Sequence, residues 1–155
     1  MTFSDNLEKI KNEIAEFLKK TTYEVEIEIL SPKDNTIFVN LKSEDPKVLI
    51  GEKGETLLAI QHILKIILKR KLDIKDSFYL DIDINNYKKK KYLYLKELAR
   101  SVAQEVILAK KEKILPPMPA YERRIIHLEL ADNPNIRTES IGEEPERKII
   151  IKPYP

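Results

Sequence analysis

Apolar residues recur every three or four positions at Leu7, Ile10, Ile14 and Phe17, which predicts a first helix running to about Lys19. Ser4 and Asp5 stand where an N-terminal cap is needed. The period then shortens to strict alternation. Tyr23, Val25, Ile27 and Ile29 interleave with Glu24, Glu26 and Glu28, the pattern of a strand with one buried face. Ser31-Pro32-Lys33-Asp34-Asn35 reads as a turn, and Ile37, Val39 and Leu41 alternate as its hairpin partner. Helical residues resume at Lys47, break at Gly51-Glu52-Lys53-Gly54, and restart as a longer helix from Glu55 to about Lys71. Phe78, Leu80, Ile82 and Ile84 then define a third strand whose other face carries Tyr79, Asp81 and Asp83.

Asn85-Asn86 marks a boundary. Beyond it, Tyr87 to Ala109 predicts a long helix burying Leu95, Leu98, Val102 and Val106. A short extended piece near Lys113 to Leu115 enters Pro116-Pro117-Met118-Pro119, after which a helix covers about Ala120 to Ala131. Two closing strands are expected near Arg137 to Ile141 and Lys148 to Lys152. The order of elements is that of an α+β protein, with one domain over residues 1–85 and a smaller α+β domain over 86–155.

Composition narrows the class. The chain has 155 residues and no cysteine, so disulfides, thiolate catalysis and cysteine-bearing zinc sites are excluded. No apolar run approaches the ~20 residues of a membrane span, and the first residues already alternate charged and apolar at helical spacing, so a cytoplasmic protein is expected. Net charge is only +2, but its distribution is uneven. Between Lys88 and Arg124 stand eleven basic and four acidic residues, beginning with the run Lys88, Lys89, Lys90 and Lys91. Four lysines oppose the dipole at a helix N-terminus, so a use as a polyanion-binding surface is the functional reading. The acidic strand positions Glu24, Glu26, Glu28, Asp81 and Asp83 would repel phosphate if the strands share one sheet.

Gly51-Glu52-Lys53-Gly54 is the most informative short motif, because two of the three glycines in the chain fall within it. Glycines let a sugar-phosphate backbone approach the main chain, and the helix that follows offers unsatisfied N–H groups to phosphate oxygens. Lys53 adds a point charge. Arg123 and His127, four residues apart, share a helix face and pair a phosphate-gripping group with one that stacks or hydrogen-bonds to a nucleotide; Arg124 lies beside them.

The first half, with Leu49-Ile50-Gly51-Glu52-Lys53-Gly54-Glu55-Thr56-Leu57 at its central turn, resembles a type II KH domain. Pro117 to His127, followed by Thr138 to Arg147, looks like the R-three-H domain. In this order the two are similar to the Jag (SpoIIIJ-associated) family of bacterial proteins over nearly the whole chain. That resemblance implies a single-stranded nucleic-acid binder, chiefly of RNA, acting after transcription in envelope growth or division. It implies that Gly51, Glu52, Lys53 and Gly54 clamp the backbone and that Ile50 helps floor a groove for about four nucleotides. Arg123, Arg124, His127 and Lys88 to Lys91 would extend the path. Other KH proteins are a further class of partner, and single-stranded DNA a further ligand. Many members carry an additional N-terminal Jag domain, which the chain is expected to lack. On this reading Gly51→Asp and Gly54→Asp weaken RNA binding without unfolding the protein.

Enzyme readings find little support. His62 and His127 stand in no metal-binding spacing, no nucleophile elbow is present, and neither cofactor, metal site nor catalytic residue is expected. Asp81 and Asp83 share a strand face and could in principle hold a divalent ion for phosphodiester cleavage. The main alternative to nucleic-acid binding is a protein-interaction module whose basic surface docks an acidic partner.

Overall fold

The computed structural model describes residues 6–155. The chain divides into two compact units, one ending at Lys88 and one spanning Lys89–Pro155.

In the first unit, α1 (Leu7–Lys19) buries Ile10 and Ile14, as its periodicity predicts, together with Leu18, while Leu7 and Phe17 are only partly buried. The N-cap position is Asn6, whose side chain makes no capping bond; Ser4 and Asp5 lie outside the described residues. Three strands, β1 (Val25–Ile29), β2 (Thr36–Ser43) and β3 (Tyr79–Ile84), form one sheet in the order β1-β2-β3. β1 and β2 are antiparallel, but β2 and β3 run parallel, so the sheet is mixed. The register aligns Ile27, Leu41 and Ile84 in one row and Ile29, Val39 and Ile82 in the next, which gives the sheet a continuous apolar face. Leu57, Leu64 and Leu68 of α3 (Glu55–Lys71) belong to the core built on that face.

Parallel neighbours cannot be joined by a tight turn and need a crossover, commonly helical. Here it is made by α2 (Pro46–Ile50), a single 3-10 turn over Glu52–Gly54, and α3. The Gly51–Gly54 segment is thus the middle of the crossover. The departing end of the crossover, Ser43, is tied down by Asn85, which follows β3 and whose side chain bonds both the N–H and the carbonyl of Ser43. On the outer edge of β3, Gln61 Oε1 accepts the Ile82 N–H at 3.0 Å, which satisfies a donor that an edge strand would leave unpaired.

The second unit is built on the long helix α4 (Tyr87–Ala109), most of which it contains. With it are β4 (Lys113–Ile114), α5 (Ala120–Leu130), β5 (Ile136–Ile141) and β6 (Lys148–Pro153). The sheet order is β4-β6-β5 with antiparallel pairs. Leu95, Ala99, Val102 and Val106 of α4 share a core with Ile126 and Leu130 of α5 and with Ile149 and Ile151 of β6. The proline segment is held beside β6 by the Met118 N–H, which donates to the Arg147 carbonyl at 3.2 Å.

Candidate nucleic-acid interface

The turn at Gly51 is built from three closely spaced backbone requirements. Gly51 has φ +73°, Lys53 φ +52° and Gly54 φ +81°, all in the region that disfavours side chains with a Cβ. The chain leaves α2 through the Gly51 N–H, which donates to the Lys47 carbonyl at 2.9 Å, and enters α3 at Gly54. No side chain caps the first amides of α3. Glu52 and Lys53 are exposed, whereas Ile50 is partly buried and packs on the first core.

A Cβ added at Gly51 would lie 2.1 Å from Thr56 Oγ1 and 2.9 Å from the Thr56 backbone nitrogen. At Gly54 it would meet the Tyr87 ring at 3.2 Å. The expectation that aspartate at both glycines leaves the fold intact therefore needs correction: Gly51→Asp must distort the crossover itself.

The lysine run is not a uniform patch. Lys88 Nζ contacts Asp81 Oδ1 and Gln61 Oε1, and Lys91 Nζ lies 3.7 Å from the buried Glu122 carboxylate. Lys89 and Lys90 are the exposed members. Asp83 explains how the helix tolerates this start, since its carboxylate accepts the Lys88 backbone N–H at 3.0 Å and supplies negative charge at the positive end of α4. The acids offered as an ion-binding pair thus both have protein partners. Among the described residues no group of three His, Cys, Asp or Glu is arranged to hold a metal. A cleft of about 680 Å³ beside β1 has Glu24, Glu26, Glu44 and Asp45 in its lining against Lys42, a charge balance that disfavours phosphate.

In the second unit Arg123 and His127 do share one face of α5, and that face points inward. Arg123 is only 6% exposed. Its Nη1 donates to the Met118 carbonyl and its Nη2 to Glu144 Oε1, each at 2.7 Å. His127 is pinned at both ring nitrogens, Nδ1 to Thr138 Oγ1 at 2.7 Å and Nε2 to Ser140 Oγ at 2.9 Å. These two residues therefore fasten α5 to the preceding proline segment, to β5 and to the β5–β6 connection. Arg124, by contrast, is exposed.

Burial, and then the positive charge of Arg123, holds the His127 pKa below 6.5. Below pH 6.5 the unfolded chain takes up a proton that the folded chain resists, so stability is greatest above that pH and falls as the pH drops through it. Urea midpoints measured from pH 7.5 to 5.5 are expected to decline, and His127→Gln is expected to flatten the decline. An unchanged slope in the variant would assign the dependence to other groups.

Residues 93–153 match the R-three-H domain family. Three curated relatives carry the name RNA-binding protein KhpB. The protein from Clostridium symbiosum is 37% identical over 113 residues, 73% of this chain and 50% of the relative. That from Lactiplantibacillus plantarum is 34% identical over 73% of this chain and 34% of the relative. That from Bacillus subtilis is 34% identical over 75% of this chain and 56% of the relative. Over these stretches the chain is similar to the KhpB proteins, and over residues 93–153 to the R-three-H domain. It spans about half the length of these relatives, or less. Within the R-three-H domain, the Arg-xxx-His pair is legible from spacing alone; its partners Thr138, Ser140 and Glu144 are not. Thr138 and Ser140 leave one signal, two hydroxyl residues alternating with Arg137 and Glu139 so that small polar groups fall on the inward face of β5, whereas Glu144 leaves none. Among the described residues no helix is long and apolar enough to cross a membrane.

Proposed function

We propose that the chain binds single-stranded nucleic acid, chiefly RNA, using a type II KH-like first unit and its R-three-H domain. The observation that carries the proposal is the Gly51–Gly54 turn, where three positive-φ residues set exposed Glu52 and Lys53 at the entry to α3, whose N-terminus has no side-chain cap. The name that the relatives carry supports RNA as the ligand. Exposed Arg124, Lys89 and Lys90 supply charge in the second unit. The resemblance to the Jag family adds cytoplasmic post-transcriptional regulation, connected with envelope growth or division, and other KH proteins as partners.

Backbone contacts carry little sequence information, so affinity should depend strongly on salt and weakly on base identity. Anisotropy titrations of a fluorescent RNA of about a dozen nucleotides at several salt concentrations test this, that length covering more than the ~4 nucleotides a KH groove holds. Lys53→Ala is expected to lower the slope of log affinity against log salt by about 0.7, the value for one phosphate contact on a single strand. No binding at low salt would turn the reading toward docking of an acidic protein.

A further inference from the structure

The Arg123–Glu144 pair is unequal. The arginine side chain is 8% exposed and the glutamate side chain 57%. A buried cation left without an anion is costly, whereas an exposed carboxylate returns to water at little cost. Arg123 therefore needs an anion at this position more than Glu144 needs Arg123.

Glu144 sits in the β5–β6 connection, where Glu143, Glu144 and Glu146 are all exposed. Of the three, Glu144 is the one paired with Arg123. A carboxylate and a phosphodiester offer a guanidinium the same feature, a pair of anionic oxygens for two parallel N–H donors. Guanidinium has five N–H donors, and Met118 keeps one occupied whichever anion is present.

We propose that the Arg123 guanidinium is a phosphate subsite that Glu144 fills in the unliganded protein, and that a nucleic-acid phosphodiester binds there by displacing the carboxylate. The inference rests on the nucleic-acid reading above. The exchange breaks one ion pair and forms another; Glu144 passes to solvent as a carboxylate, no proton moves, and the Met118 bond stays. Binding is weakened by the worth of the internal pair, so an isolated anion competes poorly and a strand anchored at neighbouring positions competes well.

The test compares Glu144→Gln with Glu143→Gln and Glu146→Gln, which remove the same charge from the same loop at positions that form no ion pair with Arg123. With a fluorescent single-stranded RNA at fixed salt, E144Q is expected to bind about fivefold tighter than either control, the worth of a half-exposed ion pair. Equal affinities for the three variants, or weaker binding by E144Q, would overturn the exchange and leave RNA binding standing. Absence of binding by the wild type and by all three variants would overturn both. A second measurement needs no variant: the Arg123 guanidinium and Glu144 carboxylate NMR resonances of the wild-type protein are expected to shift as RNA is added. Unchanged resonances at saturation would overturn the proposal even if E144Q fails to fold.

Discussion

Arg123→Ala is expected to destabilise the second unit by about 2 kcal/mol, a cost set mainly by the buried carbonyl it abandons. The Met118 carbonyl loses its guanidinium donor, while exposed Glu144 is rehydrated nearly free of cost. Loss of the arginine's packed stem adds to the effect. Arg123→Lys is expected to recover less than half, because a single ammonium on a shorter reach cannot serve acceptors on two separate segments. Urea unfolding followed by a probe in the second unit measures both. A loss below about 0.5 kcal/mol, the scale of ordinary surface substitutions, would mean the guanidinium is not buried as described. RNA affinity should fall in the same variant, so the stability readout is what separates scaffold from ligand contact.

Gly51→Asp carries the other large effect. A non-glycine residue at φ +73° costs roughly 1–2 kcal/mol before any contact is considered. The Cβ then meets the Thr56 backbone nitrogen, which cannot rotate away as a side-chain tip could. The expected total is about 2–4 kcal/mol from the first unit, together with loss of RNA binding. Gly51→Ala should retain most of the destabilisation, since strain and clash both begin at Cβ. Equal stability of the alanine variant and the wild type, by thermal melting, would show that the turn relaxes and that the glycine serves the ligand alone.

Much of the architecture is legible from alternation and periodicity because each strand of the first sheet has one buried face. Val25–Ile29 and Tyr79–Ile84 announce themselves in this way, and α1 and α3 do so by their three- and four-residue spacing. The parallel pairing of β2 with β3 is not legible in the same way, because a turn such as Ser31–Asn35 reports only on the strands it joins. At the candidate site, spacing places Arg123 and His127 on one face but does not give its direction. Charged and polar side chains are ordinarily exposed, and the partners that let these two turn inward lie on β5 and in the β5–β6 connection, remote in sequence. Lys88 and Lys91 mislead for the same reason: a run of like charges reads as one surface until its individual counter-charges, Asp81 and Glu122, are located.

The parallel register of the first sheet sets an order of events during synthesis. β5 and β6 are near neighbours in sequence and can zip together soon after both have been made. β3 can join β2 only after α2, the glycine turn and α3 have all emerged, and chain closure over such a distance is slow. Until Ile84 has left the ribosome, nothing holds the two ends of the crossover in place. A nascent chain therefore cannot complete the crossover that shapes its glycine turn until this third strand has been made, so any shorter fragment holds the turn without its final geometry.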